Sequence, residues 1–249
     1  MFSLSGQAAF VTGAGRGLGE AIARGLAEAG ARVALTDIDG PAVQALADAM
    51  RAEGRECMAM PLDVRDEAAF DRCFGAAIER FGAIDVMINN AALTPSTSLW
   101  DIGADEWDNV MAVNLRGSFF GCRIGGRHMR ERGSGRIINL SSMAGQQAST
   151  ATGAHYAASK AALLALTRTF AHELAPHGVM VNAIAPAAIR SPVLDAMDES
   201  RQRALQATIP LGRFGEGREV AAAVVYLASE AGAFTTGATL DLNGGRFMR

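Results

Sequence analysis

Tyr156 and Lys160 stand four residues apart in Tyr156-Ala157-Ala158-Ser159-Lys160, and Ala161 to Leu166 continue the run. The stretch Gly153 to His177 is rich in alanine and leucine and reads as a helix. At i and i+4 the two side chains share one face, a turn apart. A free tyrosine loses its proton near pH ~10 and is a poor base at neutrality. A cation held beside it favours the phenolate and lowers that value. One helical turn would then supply a tuned acid and base. Taken alone the pattern is too short to decide, because a surface tyrosine and lysine can share a turn with no chemistry. The rest of the chain decides it.

Gln7 to Thr12 is a short apolar strand. It runs into Gly13-Ala14-Gly15-Arg16-Gly17-Leu18-Gly19, and a helix follows from about Leu18 to Ala29. Glycines permit a tight turn and close backbone approach, and a helix N-terminus offers free N–H groups to a pyrophosphate. Here the glycines sit between a strand and a helix, the context that gives the motif its meaning. The second strand, Arg32 to Asp37, ends on an acid about 20 residues past the glycines, where a carboxylate can bond adenosine ribose hydroxyls. Such an acid would repel the extra phosphate of NADP, so NAD is the expected dinucleotide. Arg16 points the other way, towards a 2′-phosphate, and Asp37 is weighed above it because its repulsion is close and direct. Asp37 also fits a plain turn before Gly40-Pro41. At the end of the third strand, Asp63-Val64 would meet the adenine edge, or Asp63 would simply cap the strand. The fourth strand, Ile84 to Asn89, opens into Asn90-Ala91-Ala92, small residues able to lie flat against a ribose.

A long helix is expected from Ala104 to about Arg132, interrupted near Gly117 and Gly121. Asn114 lies on an apolar stretch of it, and a buried amide needs hydrogen-bond partners. Arg127, Arg130 and Arg132 at its end suit a helix C-terminus, with a docking patch for an acidic carrier as the other reading. The fifth strand, Arg136 to Leu140, places Ser141-Ser142 at its carboxyl end, where ligands bind in such sheets. The sixth strand is Val179 to Ala185. A helix from Gly217 to Ala228 and a strand from Ala238 to Leu242 close the chain. Strands alternating with helices predict a Rossmann-type, doubly wound parallel sheet of about seven strands with helices on both faces. No linker or repeat divides residues 1–249, so one domain is expected.

The composition, 49% hydrophobic and 20% charged, suits one compact soluble core. A net charge of -3 gives no electrostatic reason to expect nucleic acid or a membrane as partner. No apolar run reaches the ~20 residues that span a bilayer. Met1 to Gln7 has no basic segment leading into an apolar one, so no signal peptide is expected. Cys57, Cys73 and Cys122 fit reduced thiols in a cytoplasm. Neither they nor the four histidines have metal-ligand spacing, so no metal is expected.

Taken together these motifs resemble the short-chain dehydrogenases/reductases, from about Leu4 to Gly245. Thr12 to Gly19 matches the family's glycine motif. Asn89-Asn90-Ala91-Ala92 is similar to its Asn-Asn-Ala-Gly, with Ala92 in place of glycine. Asn182 to Ala187 is similar to Asn-x-x-x-Pro-Gly, with Ala187 departing from glycine. The resemblance implies that Tyr156 exchanges a proton with the substrate oxygen. It implies that Lys160 lowers the tyrosine's pKa and holds the nicotinamide ribose. Ser142 would hydrogen-bond the substrate oxygen, and Asn114 would brace the site and a water that relays protons to solvent. It also implies cofactor contacts at Pro186, Ile189 and Ser191, the last where the family usually has a threonine. A homotetramer follows as well, packed through the helix of Tyr156 and the last strand; the apolar residues Leu163 to Leu174 fit that or a buried core equally.

The expected activity is NAD(H)-dependent hydride transfer between the nicotinamide and a secondary alcohol or its ketone. A 3-oxoacyl-[acyl-carrier-protein] reductase would share every catalytic residue and is the nearest alternative. A non-catalytic dinucleotide-binding protein stands further off, since Tyr156 and Lys160 are both present. The segments expected to meet substrate are Leu93 to Ser98, Met143 to His155, and Ala187 to about Ala207. His155 is expected to face solvent. Within residues 186–210, Val193, Leu194 and Met197 alternate with Asp195, Asp198 and Glu199, the pattern of a substrate lid with a short helix near Ser200 to Ala207. Its acids would repel an acidic carrier, which favours a small free substrate.

Overall fold

The computed structural model describes residues 1–148 and 151–248, without the side chains of Pro192 and Val193. The chain alternates β1 (Ala8–Thr12), α1 (Gly17–Glu28), β2 (Arg32–Asp37), α2 (Gly40–Ala52), β3 (Cys57–Pro61), α3 (Glu67–Phe81) and β4 (Val86–Asn89). It continues through α4 (Ala104–Met111), α5 (Ser118–Arg132), β5 (Gly135–Leu140), α6 (Ala154–Leu174), β6 (Val179–Pro186), α7 (Pro192–Asp195), α8 (Glu199–Gln206), α9 (Gly217–Ala228) and β7 (Thr239–Leu242). The strands form one parallel sheet in the order β3-β2-β1-β4-β5-β6-β7. This is the doubly wound Rossmann-type sheet expected.

Alternation along β1 creates two core layers. Ala9 and Val11 join Ile22, Leu26 and Val224 beneath α1 and α9, while Ala8 and Phe10 join Phe70, Phe74 and Val181 on the other face. Phe10 stacks on Phe70 at 5.7 Å and tilts against Phe74 at 5.4 Å. Both faces of β1 are thus buried, as a central parallel strand requires. The strand order reverses between β1 and β4. A crevice opens there, at the carboxyl ends of the strands, because the crossover connections leave in opposite directions.

Asp39 and Asp66 cap α2 and α3 by accepting from Ala42 and Ala69 N–H groups at 3.1 and 3.0 Å. The interruption expected near Gly117 and Gly121 is of another kind. Between α4 and α5 the helix does not break but widens into a π segment, Ala112–Gly117. The two glycines serve packing instead. A Cβ on Gly117 would lie 2.8 Å from Val64 Cγ2, and one on Gly121 would overlap the Asn89 side chain.

Candidate active site

The glycine loop closes the floor of the crevice at the strand reversal. Gly13 and Gly17 adopt φ of +64° and +59°, conformations that favour glycine. A Cβ on Gly19 would lie 1.9 Å from Gly13 O, so the first turn of α1 can approach the loop only without a side chain. Thr12 ties β1 to β4: its hydroxyl donates to Ile88 O at 3.2 Å and accepts from Asn90 N at 3.0 Å and Ala91 N at 3.2 Å. The Asn90 amide donates to Thr12 O and Gly13 O at 3.0 and 2.9 Å. Thr12 is a brace that the sequence contains but spacing does not single out.

A groove of about 460 Å³ runs from this loop to Tyr156 and Lys160. Its lining includes Gly13, Arg16, Leu18, Gly19, Asp37, Asp63, Val64, Asn90, Ala91, Tyr156 and Lys160, gathering most of the residues expected to touch a dinucleotide. Gly15 lies beside it, its N–H donating to Asp37 Oδ2 at 2.9 Å. Asp37 Oδ1 accepts from Asp39 N at 3.0 Å. The cap of α2 is Asp39, so Asp37 is held as a fixed carboxylate facing the glycine loop. Arg16 is exposed on the rim. Asp63 is paired with Arg65 at 2.6 Å, which holds its carboxyl below the usual range. Arg65 also donates to Asn109 Oδ1 at 2.8 Å, so Asp63 edges the groove as half of an ion pair. Val64 lines the floor against Gly117.

Tyr156 lies in the first turn of α6 and Lys160 one turn on, both buried. Lys160 Nζ donates to Leu140 O at 2.6 Å and lies 5.7 Å from the centre of the Tyr156 ring. An ammonium has three donors, so two remain for a ligand in the groove. Ser142 Oγ accepts from Ala144 N at 3.1 Å, which leaves the hydroxyl proton free to donate. The side chains of Ser142 and Thr94 face the Tyr156 hydroxyl. The direction of the tyrosine shift differs from the expectation. Burial pushes the phenol above its ordinary value, and the hydroxyls of Ser142 and Thr94 pull only partly against it. Burial also drives Lys160 down, to about 8. In this chain loss of water sets the direction of both shifts.

The lysine shift has a consequence for stability. Its folded value, about 8, is below the 10.5 of the ordinary group. The unfolded chain therefore binds more protons between pH 8 and 10.5, and this group's contribution to stability rises across that window. Below about pH 8 the full cost of the buried charge remains. Lys160→Met is expected to raise the melting temperature of the ligand-free protein at pH 7, by up to ~3 kcal/mol in stability, while weakening dinucleotide binding. A variant less stable at pH 7 would show that the Leu140 contact outweighs burial.

Asn114 is fully buried in the π segment, and its partners explain its place. Its amide donates to Leu93 O at 2.9 Å and to Ser159 Oγ at 3.1 Å, and its oxygen accepts from Leu93 N at 2.8 Å. The Asn114 carbonyl accepts from Ser118 Oγ at 2.8 Å. Asn114 thus links α6 to the loop after β4, one position before Thr94. His155 was expected in solvent and is instead fully buried, turned from Tyr156 to the neighbouring helix. Its Nε2 lies 3.2 Å from Glu106 Oε1, and its ring stacks on Trp107. The missing signal was tertiary: Glu106 and Trp107 lie almost 50 residues earlier, on α4.

Of the residues expected at the nicotinamide end, Pro186 closes β6. Ser191 Oγ accepts from Leu194 N at 3.4 Å at the start of α7, which pattern alone did not predict. Ile189 bridges to Gly215 and lines a second cavity of about 440 Å³ with Ile209 and Leu242, apart from the groove. In residues 186–210, Leu194 and Met197 are half-buried, whereas Asp195, Asp198 and Glu199 are exposed. The side chain of Val193, and residues 149 and 150 of the loop expected at the substrate, lie outside those described. The carrier-repelling charge does not hold. Arg190 pairs with Asp195 at 2.8 Å and Arg203 with Glu199 at 3.0 Å. With Arg201 and Asp198 the segment carries three acids and three bases.

Of the helix-end arginines, Arg132 is tied to Asp85 at 2.9 Å, and Arg127 and Arg130 are exposed. Cys57, Cys73 and Cys122 are free thiols. Among the described residues no helix is long and apolar enough to cross a membrane.

The family described as enoyl-(acyl carrier protein) reductase matches residues 13–246. A 3-oxoacyl-[acyl-carrier-protein] reductase, FabG, of Vibrio cholerae is 38% identical over 246 residues, spanning 99% of both chains. A crystal structure of a putative short-chain alcohol dehydrogenase from Sinorhizobium meliloti superposes with a TM-score of 0.92 at 37% identity, covering 98% of each chain. A short-chain type dehydrogenase/reductase from Mycobacterium marinum gives 0.93 at 32% identity, over 100% of this chain and 98% of that one. Matching over nearly its whole length in sequence and in fold, the chain belongs to the short-chain dehydrogenase/reductase family of nicotinamide-dinucleotide oxidoreductases.

Proposed function

We propose that the protein transfers hydride between NAD(H) and a secondary alcohol or its ketone. The observation that carries this reading is the convergence of Tyr156, Lys160 and Ser142 at one end of a groove whose other end is a glycine cradle. The cradle would hold a pyrophosphate, Asp37 the adenosine ribose, and Lys160 the nicotinamide ribose. When bound, the nicotinamide supplies or accepts the hydride. Ser142 donates its free hydroxyl proton to the substrate oxygen, which orients the carbonyl. Tyr156 gives that oxygen its proton in reduction and withdraws it in oxidation. Burial keeps the Tyr156 proton in place at neutral pH, which suits a donor to a ketone, and oxidation should accordingly quicken with rising pH. Asn114 keeps the loop after β4 against α6. The free thiols fit a cytoplasmic enzyme.

A second reading, a 3-oxoacyl-[acyl-carrier-protein] reductase, is favoured by the name of the Vibrio cholerae relative and by the balanced charge of residues 186–210. Its substrate is also a ketone and needs the same residues. Turnover of a panel of free alcohols and ketones, beside a 3-oxoacyl-carrier substrate, separates the two. We expect free ketones with NADH to win; better catalytic efficiency on the carrier substrate with NADPH would establish the second reading. Residues 186–210 would act as a lid, given their half-buried Leu194 and Met197 and their place after β6. Hydrogen exchange over 187–207 should slow when NAD and alcohol bind, and unchanged exchange would make the segment a fixed wall. A homotetramer is proposed from the family and from a broad surface hollow lined by Leu115, Phe119, Ala165 and Leu166.

A further inference from the structure

The loop after β4 is fastened at four points. The Leu93 N–H and carbonyl are both held by Asn114, at 2.8 and 2.9 Å. Pro95 O accepts from Gly153 N, the cap of α6, at 2.9 Å. Thr97 Oγ1 donates to Glu106 Oε1 at 2.6 Å. The same carboxylate oxygen meets His155 Nε2 at 3.2 Å, and His155 adjoins Tyr156. The fit is close: a Cβ on Gly153 would lie 2.3 Å from the His155 ring. Burying an imidazole beside a carboxylate is costly and tolerated where the contact fixes geometry. The residue between these fastenings is Thr94, which lines the groove with Tyr156.

We propose that Thr94 is a positioning residue for the proton-transfer step, its hydroxyl turned to the Tyr156 oxygen by a clasp of Thr97, Glu106 and His155. This rests on the hydride-transfer reading above. Ser142, just past the end of β5, and Thr94, on the β4 loop, both act on the Tyr156 hydroxyl, and Thr94 shares the groove wall with Tyr156. Ser142 serves the substrate oxygen, so Thr94 is the group left to support the phenolate when substrate is present. A hydroxyl donating to an anion favours it, and so offsets part of the burial that holds the Tyr156 proton on. Lys160 is the charged group at the ring, and His155 faces Glu106 instead.

The chain has two tyrosines, Tyr156 and Tyr226. In a Tyr226→Phe background, ultraviolet absorbance of tyrosinate reports Tyr156 alone and needs no substrate. Rapid pH jumps read it before alkaline unfolding. Thr94→Val should raise the Tyr156 midpoint by about half a pH unit, the scale of one net hydrogen bond. Thr94→Ser should stay close to the parent, and Thr97→Val should move the same way as Thr94→Val by less. With ethyl acetoacetate and NADH, Thr94→Val should lower kcat about threefold and leave NADH binding unchanged. A Thr94→Val midpoint equal to the parent's, or a Thr94→Ser midpoint moved as far, would overturn the proposal even if Tyr156→Phe is inactive. Thr97→Val without effect would overturn the clasp.

Discussion

Tyr156→Phe is expected to lower turnover by about 10³-fold or more while leaving fold and NADH affinity nearly unchanged. The ring is buried in the first turn of α6, and phenylalanine fills the same space. Asp37, the glycine cradle and the Lys160 ammonium are all untouched by the change. What is lost is the one hydroxyl facing Ser142 and Thr94 at the end of the groove. Without it, neither the proton of a product alcohol nor its removal has a positioned partner. Ser142 remains as a hydrogen-bond donor, so residual activity should be weak and should lose the alkaline rise. Circular dichroism and quenching of the two tryptophans by NADH check the first half, and steady-state rates check the second. Substantial remaining activity would mean that another group moves the proton.

The second large effect concerns the choice of dinucleotide. NADH should exceed NADPH in catalytic efficiency by roughly tenfold to a hundredfold, since one full charge repelled at close range amounts to ~1–3 kcal/mol. The carboxylate is not free to swing aside. Gly15 N and Asp39 N hold its two oxygens at 2.9 and 3.0 Å. Asp37→Asn keeps an acceptor for one of these N–H groups and removes the charge, so it should narrow the preference at small cost in stability. Asp37→Ala should narrow it as well, but with more loss of stability, because both N–H groups lose their acceptor. Arg16 on the rim should then carry part of any gain with NADPH, and Arg16→Ala in the Asp37→Asn background should remove that gain. Equal efficiencies in the parent would reduce Asp37 to a turn residue.

The sheet was legible because each strand carries its own signal. Arg32 to Asp37 and Glu67 to Phe81 begin and end where turn residues and caps dictate. The groove was legible because glycine, aspartate and the Tyr-x-x-x-Lys spacing are local patterns with fixed positions in such a sheet. What escaped was set by contacts distant in sequence. The π segment forms where Asn114 reaches Leu93, and nothing in Val110 to Leu115 announces it. His155 is buried by Glu106 and Trp107, although its place beside Tyr156 reads as a helix surface. The Leu140 carbonyl that holds Lys160 carries no sequence mark at all. The tyrosine's shift runs against the spacing for a related reason. Spacing reveals the cation, but only the packed core reveals how much water is lost. In residues 186–210 Arg190 and Arg203 balance the acids they pair with, Asp195 and Glu199, which the alternation of apolar and acidic residues alone does not reveal.

The central claim is that hydride passes between the nicotinamide and a carbinol carbon. Its most direct test uses NADH carrying deuterium at the transferable position, with ethyl acetoacetate as acceptor and the product located by NMR. The account predicts one deuterium on the carbinol carbon of the product alcohol, formed about 10³-fold or more slowly when Tyr156→Phe replaces the wild-type chain under the same conditions. Deuterium delivered instead to the β-carbon of an enoyl thioester, with a solvent proton on the α-carbon and no ketone in the panel reduced, would contradict it. So would NADH binding in the groove without consumption by any carbonyl offered.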